Sequence, residues 1–363
     1  KFDSQNNLLQ SNNRNLQVLV SFLRIGKSVS KKTKGNRARN SQTKKRQWII
    51  MKKTLVALAV MAFAGSANAA FNLYDKDGVT VDLKGDMEVR YQKDAAKGSE
   101  LTQNIHDADF ALDIRYAYAD DLKIGGFFEV QDTGTNAGDA YVALYTTEMG
   151  NLYVGRMATI LDDSGIGNDY VYGIKSKVDA FDFSGTEVIK YQLDKGQFYG
   201  GFAVLQNNTG QNKKLLKESG KHFDANIGAR FGDLDAQVFY GESQDVANKD
   251  TAVLVAKKQK VTLFQVAYTI DAVKLEALYS QGKLDSAKTD TLGVAATYTM
   301  DAWTFGAGYS NASPKGGEDV ANAFVNAGYA LTKGVTTFVE LGYEDEKGKD
   351  NDLAYAFGIK ATF

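Results

Sequence analysis

The chain has 363 residues, with 20 Phe, 19 Tyr and 35 Gly but a single Pro and no Cys, a balance that favours many strands over helices and fits a compartment where thiols oxidise. Away from its N-terminal region it has no run near the ~20 apolar residues that a membrane-spanning helix needs. Its formal charge of −1 averages two unlike pieces: residues 1–69 hold 14 of the 43 basic residues and one of the 44 acidic ones, so the remainder carries 29 against 43, a net −14 that argues against nucleic acid as a partner.

Residues 1–50 are rich in Asn, Ser, Lys and Arg and show no sustained period. They read as sequence upstream of the true start, with a disordered basic tail as the alternative. Residues 51–69 read as a signal peptide: Lys52 and Lys53 give the positive start, Leu55 to Ala64 the apolar core, and Ala67, Asn68 and Ala69 the small-residue site. Cleavage is expected between Ala69 and Ala70, leaving 70–363 as the exported domain.

Alternation then begins. In Val79 to Tyr91, Val79, Val81, Leu83, Met87, Val89 and Tyr91 are apolar, while Thr80, Asp82, Lys84, Asp86, Glu88 and Arg90 are polar. A charged face this dense must meet water, so the apolar face must bury against something else. Seven further pairs of alternating runs follow, joined by short turns such as Asp194-Lys195-Gly196, Gly232-Asp233 and Asp271-Ala272, which are hairpin signals. With the first run and the last, Leu353 to Phe363, they predict sixteen antiparallel strands. Short turns at one end, long polar loops at the other and runs of about nine to eleven residues describe a closed transmembrane β-barrel. Tyr118, Tyr298, Trp303, Tyr309, Tyr329 and Tyr343, near strand ends, are expected at the membrane–water boundary.

Between Arg156 and Glu187 the alternation stops. Such a length without a pattern usually carries function. The stretch mixes acids (Asp162, Asp163, Asp169), apolar anchors (Ile160, Leu161, Tyr170, Val171, Tyr172) and bases (Lys175, Lys177). Anchors in that number predict a third loop folded into the lumen and packed on the inner wall.

The segments Tyr74-Asp75-Lys76-Asp77-Gly78, Val81-Asp82-Leu83-Lys84-Gly85 and Gly150-Asn151-Leu152-Tyr153-Val154-Gly155-Arg156, with the terminal Phe363, make residues 70–363 resemble the general diffusion porins of Gram-negative bacteria. The resemblance implies an outer-membrane homotrimer of sixteen-stranded barrels, bounded by outer-membrane lipid and passing small hydrophilic solutes and ions, without a cofactor. It also implies a closing strand (Tyr355, Phe357, Ile359, Phe363) recognised by the barrel-assembly machinery. In that family an acidic third loop faces wall arginines. Here the corresponding wall positions hold Asp109 and, further on, Gly138 and Asp139, and the loop lacks the family's Pro-Glu-Phe-Gly-Gly turn.

The constriction expected from these residues places Asp162, Asp163 and Asp169 on the loop. Arg90, Arg115, Arg156, Lys175 and Lys177 stand opposite, with Asp109 on the wall. Opposed charges across a narrow gap filter ions, and the net −14 predicts cation preference. Inner-face aromatics look scattered, Phe127 among them, which favours general diffusion over a substrate-specific channel. Two other readings remain: an adhesin or structural barrel with a plugged lumen, and a barrel enzyme. For the enzyme, His106 and His222 are the sole histidines, without a convincing Ser partner in sequence.

Overall fold

The computed structural model describes residues 70–131, 136–174, 184–206, 214–248 and 254–363. The upstream stretch, the signal segment with Ala69, and Lys175 and Lys177 fall outside the described residues. The strands are β1 (Phe71–Lys76), β2 (Val79–Lys93), β3 (Thr102–Ala119), β4 (Leu122–Gln131), β5 (Asn136–Thr146), β6 (Asn151–Ala158), β7 (Ser184–Asp194), β8 (Phe198–Gln206), β9 (Lys214–Phe231), β10 (Leu234–Asn248), β11 (Leu254–Ile270), β12 (Val273–Leu284), β13 (Ala287–Met300), β14 (Trp303–Pro314), β15 (Val320–Thr332), β16 (Val335–Glu346) and β17 (Ala354–Thr362).

From β2 to β17 each strand pairs antiparallel with its neighbours in sequence, and β17 pairs back onto β2 from Tyr355↔Lys93 to Thr362↔Asp86. The ring therefore closes with sixteen strands, the sixteen read from alternation. The sequence reading missed β1, which pairs with the first part of β2, from Phe71↔Leu83 to Lys76↔Val79. One edge of β2 is thus shared by the two ends of the described chain. At their meeting point Gly85 N donates to Phe363 O and Phe363 N donates to Gly85 O, both at 2.8 Å, and the rings of Phe71 and Phe363 lie 5.9 Å apart.

The short turns use aspartate in the left-handed region, as at Asp271 (φ 51°) and Asp301 (φ 51°), where a short polar side chain can bond locally and offset the strain. Along each strand the outward positions are apolar and exposed: Met87, Phe128, Val142, Ile227 (68% exposed), Phe264, Val325 and Ile359 are examples. A water-facing surface does not carry so continuous an apolar belt; hydrocarbon accepts it because the closed ring leaves no strand edge unpaired. Tyr118, Tyr298, Trp303 and Tyr343 are exposed near the strand ends, Tyr309 is exposed midway along β14, and Tyr329 lies against Trp303 with ring centroids 4.7 Å apart.

Gly85 is fixed by the seam, since a Cβ there would sit 2.3 Å from Asp109 O and 2.9 Å from Phe363 Cζ. Gly85→Val is expected to destabilise the folded barrel by about 1–3 kcal/mol, read from urea unfolding of protein folded in detergent. Gly126→Val, at a position where the nearest atom to a Cβ is 4.0 Å away, is expected to stay within about 0.5 kcal/mol of the unsubstituted chain.

Candidate functional site

The segment after β6 opens with a 3-10 turn, Ile160–Asp163. Met157, Ile160 and Leu161 are buried with Ala203 and Leu205 of β8, Phe239 of β10, Val261 and Leu263 of β11 and Leu278 of β12. These strand residues share the polar-side face, so a small apolar core forms on the inner wall. Wall carboxylates and a carboxamide hold the segment's backbone. Asp224 of β9 accepts Ile160 N (3.3 Å) and Leu161 N (2.9 Å), Gln265 of β11 accepts Gly165 N (3.0 Å) and Glu276 of β12 accepts Gly167 N (3.1 Å). Glu340 of β16, fully buried, accepts Tyr170 N (2.6 Å), Val171 N (2.9 Å) and Tyr172 N, together with Asn326 Nδ2 (2.9 Å). Charge-assisted bonds of this kind are the stronger class, and the loop N–H groups would otherwise be unsatisfied.

Space for the segment comes from inward-facing glycines. A Cβ at Gly241 would meet Leu161 Cδ1 at 2.3 Å, one at Gly342 the Tyr172 ring at 2.5 Å, and one at Gly328 the Tyr170 hydroxyl at 2.0 Å. Tyr170 stacks on Phe338 with ring centroids 4.2 Å apart. The Tyr172 hydroxyl donates to Lys93 O at 2.9 Å, and Arg90 Nη1 donates to Tyr170 O at 3.4 Å.

The polar-side face of β2–β5 carries acids. Asp86, Asp107 and Asp109 bring carboxylate oxygens within 4.8 Å of one another, with Lys360 Nζ 3.0 Å from Asp86. Glu129 lies over Gly138, where a Cβ would sit 2.6 Å from its carboxylate, and accepts Asp139 N at 2.9 Å. Asp139 in turn feels the charges of Glu129, Lys190, Asp162 and Arg156.

On the segment itself, Asp162 and Asp163 reach water. Partial burial nonetheless raises both carboxyls above the ordinary range, and Lys190 opposes the shift; for Asp162 the charge of Asp163 adds to the rise. Burial also raises Asp169, with a further push from Glu340.

The bases expected to face these acids are largely engaged elsewhere. Arg90 is buried, paired with Glu88 at 3.1 Å and bonded to the segment's backbone. Arg115 donates to Asp113 through Nε (2.9 Å) and Nη2 (2.8 Å) and lies 4.2 Å over the Tyr145 ring. Arg156 shares the strand face of Leu152 and exposed Val154, opposite Tyr153 and Met157, and donates to Gly138 O at 2.6 Å. Asp109 stands among the wall acids. Sequence reasoning left out Glu129, Asp86, Asp107 and Glu340 from the constriction, although the same alternation placed each on the polar face.

Two further expectations change. The inner aromatics are contiguous rather than scattered: Phe127 stacks on Tyr141 (5.1 Å), whose ring meets Tyr153 edge-on (5.6 Å), which meets Tyr145 (5.7 Å). They lie on three adjacent strands, so sequence separation hid them. His222 does have partners, with Nδ1 2.7 Å from Ser243 Oγ and Nε2 3.1 Å from Asp224 Oδ2. All three residues are buried, and Asp224 already holds the loop backbone, so the trio is a wall anchor with no oxygen presented to a substrate.

The sequence profile described as Gram-negative porin matches residues 54–349. Porin-like protein H of Photobacterium profundum is 32% identical over 332 residues, covering 86% of this chain and all of the relative. Among solved structures, the trimer form of OmpT, an outer membrane protein of Vibrio cholerae, aligns with a TM-score of 0.61 at 19% identity, over 79% of this chain and 99% of that one. The anion-selective porin from Comamonas acidovorans aligns at 0.60 and 16% identity, over 78% of this chain and all of that one.

Glu340→Ala removes the acceptor of three adjacent loop N–H groups. Amide hydrogen exchange at residues 170–172 is expected to accelerate by about 10- to 100-fold, the equivalent of ~1.5–3 kcal/mol of lost bonding. Unchanged protection measured by mass spectrometry would mean that the aromatic contacts alone hold the segment.

Proposed function

This chain belongs to the Gram-negative porin family of the outer membrane, and from that premise we propose that its lumen passes small hydrophilic solutes and ions with a preference for cations. The observation that carries the preference is the acidic wall: Asp86, Asp107, Asp109, Glu129 and Asp139 lie on neighbouring strands, Asp109 and Asp139 at positions where the resemblance led one to expect arginines. Asp162 and Asp163 add acid from the loop side, with Lys190 as the base within their electrostatic reach. The arginines contribute little field of their own, because Arg90 and Arg115 each sit against a carboxylate. Fold does not decide the sign of selectivity, since the similar Comamonas acidovorans barrel is anion-selective. The charges on the wall do.

A homotrimer fits the trimer form of the Vibrio cholerae relative. The surrounding lipid would cover the apolar belt, and the closing strand around Phe357, Ile359 and Phe363 would be what the assembly machinery reads. An adhesin with a plugged lumen is the second reading, and it predicts no conductance in a planar bilayer.

In a salt gradient across such a bilayer, the reversal potential is expected to have the sign of cation flow. Asp86→Asn, Asp107→Asn and Asp109→Asn combined should lower the cation-to-anion permeability ratio. A charge ~10 Å from the ion path in water contributes ~0.4 kcal/mol, about twofold for each charge removed before screening. A reversal potential of anion sign in the unsubstituted channel would overturn the preference.

A pH dependence follows from the loop acids. A carboxyl whose affinity for its proton is raised takes that proton up at a higher pH than a free aspartate, so Asp162, Asp163 and Asp169 should neutralise above the pH at which free aspartates do. Cation preference is expected to begin falling above the ordinary carboxylate range. In Asp162→Asn/Asp163→Asn the loop's share of that fall should be lost.

A further inference from the structure

Toward the end of the lumen with the short turns, the inner wall carries a cleft of about 360 Å³, within the lower part of the range of about 300–1,000 Å³ typical of small-molecule sites. Four carboxamides converge on it from four strands: Asn151 of β6, Gln192 of β7, Asn226 of β9 and Gln237 of β10, and Asp163 of the loop, Asp194 of β7 and Tyr199 of β8 also line it.

The carboxylates around this cleft are in part offset by bases, Arg230 reaching both Asp194 and Asp235. Asp194 is held by Arg230, whose Nη1 lies 3.0 Å from each of its oxygens. Asp163 shares the charge of Lys190 and accepts Gln192 Nε2 at 3.3 Å. What remains is a dense set of amide donors and acceptors. Each primary amide presents two N–H donors and one carbonyl acceptor in a plane, which suits a ligand whose neighbouring hydroxyls both give and accept. An anion would find no net positive field, and an apolar solute would leave the amides unpaired.

The second component is aromatic. Asn151 stands two residues before Tyr153 on the same face of β6, and from Tyr153 the ring contacts continue through Tyr145 on one side and Tyr141 to Phe127 on the other. Tyr199 is held firmly in the cleft: Arg230 lies 3.9 Å over its ring, and a Cβ at Gly228 would come within 2.2 Å of it. Rigid ring surface beside fixed amide groups is the pair of features a pyranose ring uses, its C–H faces against aromatics and its hydroxyls against amides.

We propose that this cleft, with the adjoining tyrosine strip, is a transit subsite for neutral oligosaccharides. The proposal rests on the channel reading above and names one solute class within it. Nothing covalent is involved; the subsite would shorten the journey of a sugar through the lumen by supplying weak, replaceable contacts.

Single-channel recording in planar bilayers with added maltohexaose tests it, with polyethylene glycol of equal mass as the size control. Brief blockades whose frequency saturates with maltohexaose concentration, and which polyethylene glycol does not reproduce, are expected. The double variant Asn226→Ala/Gln237→Ala should shorten blockade duration severalfold, and Tyr153→Ala should do so as a second, independent variant. A channel that conducts salt but shows no maltohexaose blockades, or shows equal ones in both variants, overturns the subsite while leaving the channel reading standing. A barrel that never conducts overturns both.

Discussion

Hydrocarbon offers no hydrogen-bond partner, so every backbone N–H and C=O that enters it must be paired within the protein. That constraint is met at one seam, where β17 returns to β2 and completes a ring of sixteen strands. The ends of the described chain share the remaining edge of β2: β17 fills its upper part, β1 its lower part, and the paired bonds between Gly85 and Phe363 join the two. A side chain at Gly85 would enter the backbone of β3, so closure depends on a residue with no Cβ as much as on the apolar alternation that brings the strands together.

Closing the ring creates an inside, and the inside is not uniform. From β8 to β13 it carries a small apolar core that takes up Ile160, Leu161 and Ile166. Glycines on the same face leave room for Leu161, Tyr170 and Tyr172, while Asp224, Glu276 and Glu340 receive the loop's N–H groups. Carboxylates buried in this way must be fully bonded to be tolerated, and Glu340, with four donors around it, meets that demand. Acids that a count of charges would assign to the aqueous field therefore divide into two groups, those that hold the loop and those left facing water.

That division shapes the electrostatics. Arg90 and Arg115 are absorbed by Glu88 and Asp113, whereas Asp86, Asp107 and Asp109 crowd together on the wall. The lumen then offers two chemically distinct surfaces, an acidic one on β2–β5 and, nearer the short turns, an amide-lined cleft in which Arg230 and Lys190 offset Asp194 and Asp163. Ions respond to the first, while a neutral polyol would respond to the second.

Much of this was legible in the order of residues. Strand alternation has a period of two whatever the neighbours, so the sixteen ring strands, their outward faces and the short turns followed from local pattern alone. β1 escaped notice because Phe71–Lys76 is short and its partner is set by where the far end of the chain arrives. Alternation also placed Asp109, Arg115 and Glu340 on the polar face, yet it is silent on which charges meet. Pairing depends on register and on residues such as Ser243 and His222, or Phe127 and Tyr141, that lie far apart in sequence or on different strands. The sequence by itself determined that a two-faced sheet must close around water. Only the tertiary structure decided which carboxylates anchor the loop and which are left to act on solutes, because hydrogen bonding and charge neutralisation are settled by distances across the barrel rather than by spacing along the chain.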